Sequence, residues 1–140
     1  MHRVVLDTSV LVAALRSRLG ASNALLRHVA MERVKPLVSP ALFLEYEDVL
    51  KRPEQVAAHG FDLDAVDGFL AAFASAAQAV ECHFRWRPQL RDPGDEMVLE
   101  AAVNGYADAL VTHNVRDFAA AKAFSLRVMT PGEFLKELEG

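Results

Sequence analysis

The sequence predicts an α/β domain with a mainly parallel sheet, and three observations carry that expectation. The opening run Arg3-Val4-Val5-Leu6-Asp7-Thr8-Ser9-Val10-Leu11-Val12 is almost wholly apolar. A strand without alternation is buried on both faces, as strands are in parallel sheets covered by helices. Three helix starts are written in one way: Ser39-Pro40, Asp92-Pro93 and Thr130-Pro131 each place a capping side chain before a proline at the first helical position. Short apolar runs alternate with these helical stretches along the whole chain, which is the order of an α/β fold.

The elements follow in order. The first strand stops at Asp7, and Thr8 and Ser9 are suited to cap the helix after it. Ala21 to Glu32 reads as a helix. Leu37-Val38 reads as a short strand, and Pro40 to Lys51 as the helix that Ser39 caps. A short helix after Pro53 ends at Gly60. Leu63, Val66, Leu70, Phe73 and Ala77 then keep the period of a helix starting near Asp62. A helix from Pro93 carries Asp95 at its third position and stops at Asn104-Gly105. Ala109-Leu110-Val111-Thr112 and Leu126-Arg127-Val128-Met129 read as strands. The last helix has Thr130 as cap, Glu133 at its third position, and Phe134, Leu135 and Leu138 for packing on the sheet.

A length of 140 residues suits one domain, 1–140, and the chain shows no repeat or linker. An apolar fraction of 52% against 24% charged is enough for a real core and argues against disorder. The longest apolar runs are too short to cross a bilayer, so no membrane association is expected. Met1-His2-Arg3 leads straight into a strand, so no signal peptide is expected. Cys82 is the only cysteine, so no intrachain disulfide can form and a cytoplasmic location fits. No Cys/His cluster has zinc spacing. A formal net charge of -4 argues against holding nucleic acid by bulk electrostatics. It leaves open an acidic site neutralised by metal ions, with local arginines holding phosphate.

The acids recur at the places where an α/β sheet binds ligands. Asp7 ends a strand, at the carboxyl edge of the sheet. It either caps the next helix or joins a site with Thr8 and Ser9. Glu45 is spaced i+3 from Leu42 and i-4 from Val49, on or beside the stripe expected to be buried. Glu47, turned by roughly 200° from it, is expected in solvent. Glu45 either turns inward to a site or reaches an arginine such as Arg52. Asp92, Asp95 and Glu96 fall within five residues. Capping accounts for Asp92 but less well for all three. Thr112 and Asn114 follow a strand and are polar groups able to orient a carboxylate or water. Asp117 lies about one helical turn further on. Carboxylates gathered in one cleft repel one another unless cations are present. Oxygen donors without His or Cys suit Mg²⁺ or Mn²⁺, which activate water and stabilise the leaving oxygen in phosphodiester hydrolysis.

Four blocks in order carry a resemblance. They are Val4-Val5-Leu6-Asp7-Thr8-Ser9-Val10-Leu11-Val12-Ala13-Ala14-Leu15, the stretch from Ser39-Pro40 to Arg52-Pro53, Arg91-Asp92-Pro93-Gly94-Asp95-Glu96 with Ala101-Ala102, and Ala109 to Phe118. Over nearly its whole length the chain resembles the PIN-domain ribonucleases, and within them the toxin components of bacterial toxin–antitoxin systems. The resemblance implies a three-layer α/β/α fold and Mg²⁺- or Mn²⁺-dependent cleavage of single-stranded RNA. It also implies a homodimer and a cognate antitoxin protein that blocks the site. Asp7 and Asp95 would hold the main metal, with Glu45 and Asp117 completing the acidic cluster and Asn114 orienting water or a carboxylate. Thr8, Ser9 and Thr112 would support them.

Two positions depart from the family pattern. Many members carry Asn where Ser9 stands and Asp where Asn114 stands. Ser9 still donates a hydrogen bond, but Asn114 lacks the charge, so the fourth acid is missing or is supplied by Asp117. That departure sustains an alternative reading, a degenerate PIN domain that binds RNA or a protein partner without cutting. Arg85, Arg87 and Arg91, interleaved with Phe84 and Trp86, are candidate RNA contacts or part of a core-closing loop. Arg116 is a candidate phosphate contact or an ion-pair partner of Asp117 or Glu96, and His113 is a further residue within reach of the cleft. Leu25, Leu26 and Val29, and the helix near Phe69, are candidates either for the core or for a partner surface. A haloacid-dehalogenase-like phosphotransfer site would need Asp where Ser9 stands, and a receiver domain would need paired acids ahead of the first strand.

Overall fold

The computed structural model describes residues 2–83 and 89–140. Among the described residues five strands form one sheet in the order β3-β2-β1-β4-β5, and every pairing is parallel. They are β1 (His2–Leu6), β2 (Val34–Val38), β3 (Gln78–Ala79), β4 (Ala109–Val111) and β5 (Val128–Met129). Val4, Val5 and Leu6 in β1 and Leu110 and Val111 in β4 have no solvent exposure. An unbroken apolar run is thus matched by a strand covered on both faces.

The helices are α1 (Thr8–Arg16), α2 (Ala21–Ala30), α3 (Pro40–Leu50), α4 (Pro53–His59), α5 (Leu63–Ala76), α6 (Pro93–Asn104) and α7 (Pro131–Glu139). They flank the sheet in two groups. In one, α2 packs against α1 and α7; in the other, α3 packs against α5 and α6, and α6 lies along β1, β2 and β4. A 3₁₀ segment, Val115–Phe124, joins β4 to β5 and bends at Phe118, whose φ and ψ leave the helical region.

The chain builds the sheet outward from β1 through β2 to β3, then returns to the other side of β1 for β4 and β5. The reversal makes the β1/β4 boundary the topological switch point, where open α/β sheets leave a crevice at the strand carboxyl ends. Val4 pairs with Ala109 and Leu6 with Val111, and the Asp7 amide donates to the Val111 carbonyl at 2.9 Å. Asp7 and Thr112 therefore stand side by side just past the ends of the two central strands.

Several local expectations shift. β2 begins at Val34 rather than Leu37 and runs through Pro36. Proline is tolerated there because β3 pairs only with Leu37 and Val38, leaving β2 unpaired on that side at Pro36. β3 itself, two exposed residues long, had no apolar signature to announce it. The last strand keeps only Val128 and Met129. α4 ends at Gly60 with φ of 76°, the left-handed conformation that favours glycine.

In α3 the buried stripe is Leu42, Tyr46 and Leu50, at i, i+4 and i+8. Val49 is not part of it; it shares the half-buried face of Glu45. Leu25 and Val29 are core residues, and Leu26 and Phe69 pack partly against the core. The first two are thereby removed as candidates for a partner surface. Among the described residues no helix is long and apolar enough to cross a membrane.

Candidate active site

A cleft of about 460 Å³ opens at the switch point. Asp7, Glu45, Asp95 and Asn114 all line it, with Thr8, Ser9, Asp92 and His113. They arrive from the end of β1, the middle of α3, the first turn of α6 and the loop after β4. Four segments far apart in sequence meet because parallel strands all end at the same edge.

Asp7 is 4% exposed and occupies the N-cap position of α1, yet its side chain makes no capping bond. The capping explanation is therefore set aside. The Ser9 hydroxyl donates to Asp7 Oδ2 at 2.7 Å, and the fully buried Thr112 hydroxyl donates to the same oxygen at 2.6 Å. Neither bond uses Oδ1. Ser9 Oγ also accepts the His113 amide at 3.2 Å, and Thr112 Oγ1 accepts the Asn114 amide at 2.9 Å. The two hydroxyls thus tie the carboxylate of β1 to the loop after β4. A buried carboxylate held by donors is oriented as well as solvated.

Tyr46, next to Glu45, is fully buried and donates its hydroxyl to the Leu6 carbonyl. Burial and the nearby Asp7 carboxylate push its phenol well above the ordinary range, so it stays a donor. It pins α3 to the end of β1 one residue before Asp7. Sequence reading missed it, although a tyrosine on an otherwise apolar stripe needs a partner for its hydroxyl.

Glu45 reaches the first turn of α6. A Cβ on Gly94 would lie 2.9 Å from Glu45 Oε1, so any larger residue there would make the Glu45 carboxylate shift. Burial, with Asp48, Asp92 and Asp7, raises the Glu45 carboxyl above its usual range, and Arg52 opposes the shift. Arg52 itself pairs with Asp48 at 2.8 Å.

Asp95 is the most strained charge of the group. Burial and the carboxylates of Asp7, Asp92, Asp117 and Glu45 raise it to about 7. Asp92 does cap α6, accepting the Gly94 amide at 2.8 Å. Glu96 is buried and accepts the Gln89 and Leu90 amides at 2.6 and 2.7 Å, which fastens the approach to α6.

Asp92 and Asp95 also face a second cleft of about 420 Å³, lined by Arg91, Arg116 and Asp117. Asp117 thus lies across Asp95 from the first cleft and acts on it by charge. Among the described residues Arg116 pairs with neither Asp117 nor Glu96. Arg85 and Arg87 lie outside the described residues. The His113 ring meets the buried Ser22 hydroxyl at 2.7 Å.

Among the described residues, no three Asp, Glu, His or Cys side chains form a ready-made metal cage. The carboxylates of Asp7, Glu45, Asp92 and Asp95 nonetheless bring oxygen donors to the cleft, and the imidazole of His113 on its wall is engaged by Ser22. Mg²⁺ binds through one or two carboxylates and keeps most of its water, so it requires no such cage. Asp7, Glu45 and Asp95 are the residues whose chemistry fits it.

A parallel sheet with carboxylates at its switch point defines an α/β protein built to bind at the carboxyl edge. A model of the PIN domain matches residues 3–116, and the chain belongs to the PIN-domain family. PIN domains are typically nucleases that use divalent metal ions. The match includes Asp7, Glu45, Asp95 and Asn114 and stops one residue before Asp117. No curated protein matches the chain.

Proposed function

We propose that this protein is a metal-dependent endoribonuclease that hydrolyses phosphodiester bonds of single-stranded RNA, acting as the toxin of a toxin–antitoxin pair. Asp7, Glu45, Asp95 and Asn114 are its site, with Asp117 beside them and Thr8, Ser9 and Thr112 in support. The observation that carries the reading is the convergence of Asp7, Glu45, Asp92 and Asp95, from the end of β1, from α3 and from the start of α6, on one cleft at the switch point, where burial and their crowding raise Asp95 to about 7. Carboxylates crowded in this way repel one another, and a divalent cation between them would relieve that repulsion.

A bound Mg²⁺ or Mn²⁺ would supply an activated water and charge stabilisation at phosphorus. The chain's own residues do the rest. Ser9 and Thr112 fix the Asp7 carboxylate against rotation, and Tyr46 fixes the backbone that carries it. Glu45 lies over the α6 first turn, where Gly94 has no side chain to displace it. The Asn114 amide group, which carries no charge, orients water or a carboxylate at the cleft wall. The proposed cytoplasmic homodimer and its antitoxin follow from the family resemblance.

The test is cleavage of a panel of single-stranded RNAs by the purified protein with and without Mn²⁺, alongside Asp7→Asn. The native chain should cut only with the metal, and the variant should be folded and inactive. Equal cleavage by both would overturn the mechanism. Folded native protein that neither cuts nor binds Mn²⁺ by calorimetry would instead identify a degenerate domain.

A further inference from the structure

The face of α1 that lines the first cleft is Ser9, Val12, Ala13 and Arg16. The spacing i, i+3, i+4 and i+7 makes one helical stripe. It carries the cleft from the acids at one end to Arg16, whose backbone lies about 10 Å along the helix axis from that of Ser9. Between them Val12, Ala13 and, from α3, Val49 give the cleft an apolar floor.

Arg16 is exposed and ends α1. Its Nη2 donates to Gln55 Oε1 at 2.9 Å, and Gln55 belongs to α4, which packs against α1. A neutral amide thus aims the guanidinium without compensating its charge. The other cation on this cleft, Arg52, is already paired with Asp48. Among the described residues Arg16 makes no ion pair. An unneutralised, oriented guanidinium at the end of a net-acidic cleft is matched by a phosphate.

Cation, apolar floor and acidic end follow one another as phosphate, base or ribose, and phosphate follow one another in a nucleic acid. We infer that Arg16, aimed by Gln55, binds the backbone phosphate next to the scissile one, with the intervening nucleoside on Val12, Ala13 and Val49. The inference rests on the single-stranded RNA reading of the same cleft. Arg16 is a binding residue here, at the other end of α1 from Asp7.

The experiment measures binding of a fluorescein-labelled single-stranded RNA to the full chain without metal, over a range of salt concentrations, and then cleavage with Mn²⁺. Arg16→Ala should weaken binding about tenfold, as loss of one charge-assisted contact does. It should also lower the salt slope by about one. In cleavage the loss should fall on KM rather than kcat, and Arg16→Lys should restore most of it. An RNA with one neutral methylphosphonate linkage, scanned along the strand, should at one position bind native and Arg16→Ala proteins alike. Native-like binding by Arg16→Ala, or an equal loss with every linkage, would overturn the inference. If the native chain binds RNA through Arg16 but never cuts, the nuclease reading falls and this one stands. If it cuts while Arg16→Ala binds and cuts normally, the reverse holds.

Discussion

α6 and α7 open on the same four-residue plan, Asp92-Pro93-Gly94-Asp95 in one and Thr130-Pro131-Gly132-Glu133 in the other. In α7 the plan closes on itself. The Thr130 hydroxyl accepts the Glu133 amide at 3.2 Å, and the Glu133 carboxylate accepts the Thr130 amide at 2.9 Å. Those bonds hold the Glu133 carboxyl below its ordinary range. In α6 Asp92 caps, but no capping box forms, and Asp95 is left among four other acids with its carboxyl raised to about 7. The glycines differ in parallel: a Cβ on Gly132 meets nothing within 4 Å, whereas one on Gly94 meets Glu45 at 2.9 Å. Local sequence offers both acids the same stabilising role. Placement at the switch point withdraws it from one of them, and the acid that its surroundings destabilise is the one in the proposed site.

The largest expected effect separates the two acids by what they do for activity. Asp95→Asn should reduce Mn²⁺-dependent RNA cleavage by at least about a hundredfold, in the range seen when a preorganised charge is removed from an active site. The metal-free variant should melt higher than native at pH 8, because a repelled carboxylate is gone. Glu133→Gln should differ on both counts, with cleavage unchanged and melting temperature lowered. An Asp95→Asn protein that cuts normally would erase the distinction. The next effect concerns the glycines. Gly94→Ala should displace Glu45 and slow cleavage by roughly tenfold, about 1.4 kcal/mol. Gly132→Ala should leave cleavage alone and stabilise slightly, since alanine is the better helix former where space allows. Single-turnover cleavage rates and thermal melts of the two variants measure both halves.

Thr130→Ala should cost about 1 kcal/mol, the usual loss for an N-cap, and lower the melting temperature by a few degrees without touching activity. A loss of cleavage would mean that α7, outside the matched residues 3–116, reaches the site after all.

What the sequence made legible was mostly what local chemistry decides. Proline after a capping residue marked α3, α6 and α7 at their first residues, because φ and the cap are fixed by those side chains. The apolar run marked β1, and period marked α5. The short strands were harder: β2 hid behind Pro36, which only the narrowness of β3 permits, and β3 has no interior to bury. In the site, Asp7, Glu45, Asp95 and Asn114 were nameable from their blocks. The Tyr46 hydroxyl, the room at Gly94 and Arg16 at the cleft end were not, since each depends on a partner from another element.

The smallest effect tests the comparison with the least disturbance, by changing only pH. Asp95 has a folded-state pKa of about 7 against an unfolded value near 3.8. A raised acid contributes stability that is fully present below the unfolded pKa and is lost as pH rises through the folded one. Metal-free protein should therefore gain stability as pH falls from 8 to 6, by somewhat under about 1 kcal/mol once solvent screening is allowed for. Glu133 has the opposite sign, because its lowered pKa contributes stability above the unfolded value and loses it as pH falls through the folded one. Its contribution should be constant from pH 8 to 6 and fade only in the acid range below about 4.5. Urea melts of native, Asp95→Asn and Glu133→Gln proteins at successive pH values separate the two. The gain between pH 8 and 6 should vanish in Asp95→Asn and persist in Glu133→Gln. Saturating Mn²⁺ should reverse it in the native protein, because the proton and the cation compete for the same carboxylate. A gain that survives Asp95→Asn would place the strain on another group and remove the contrast between the two helix starts.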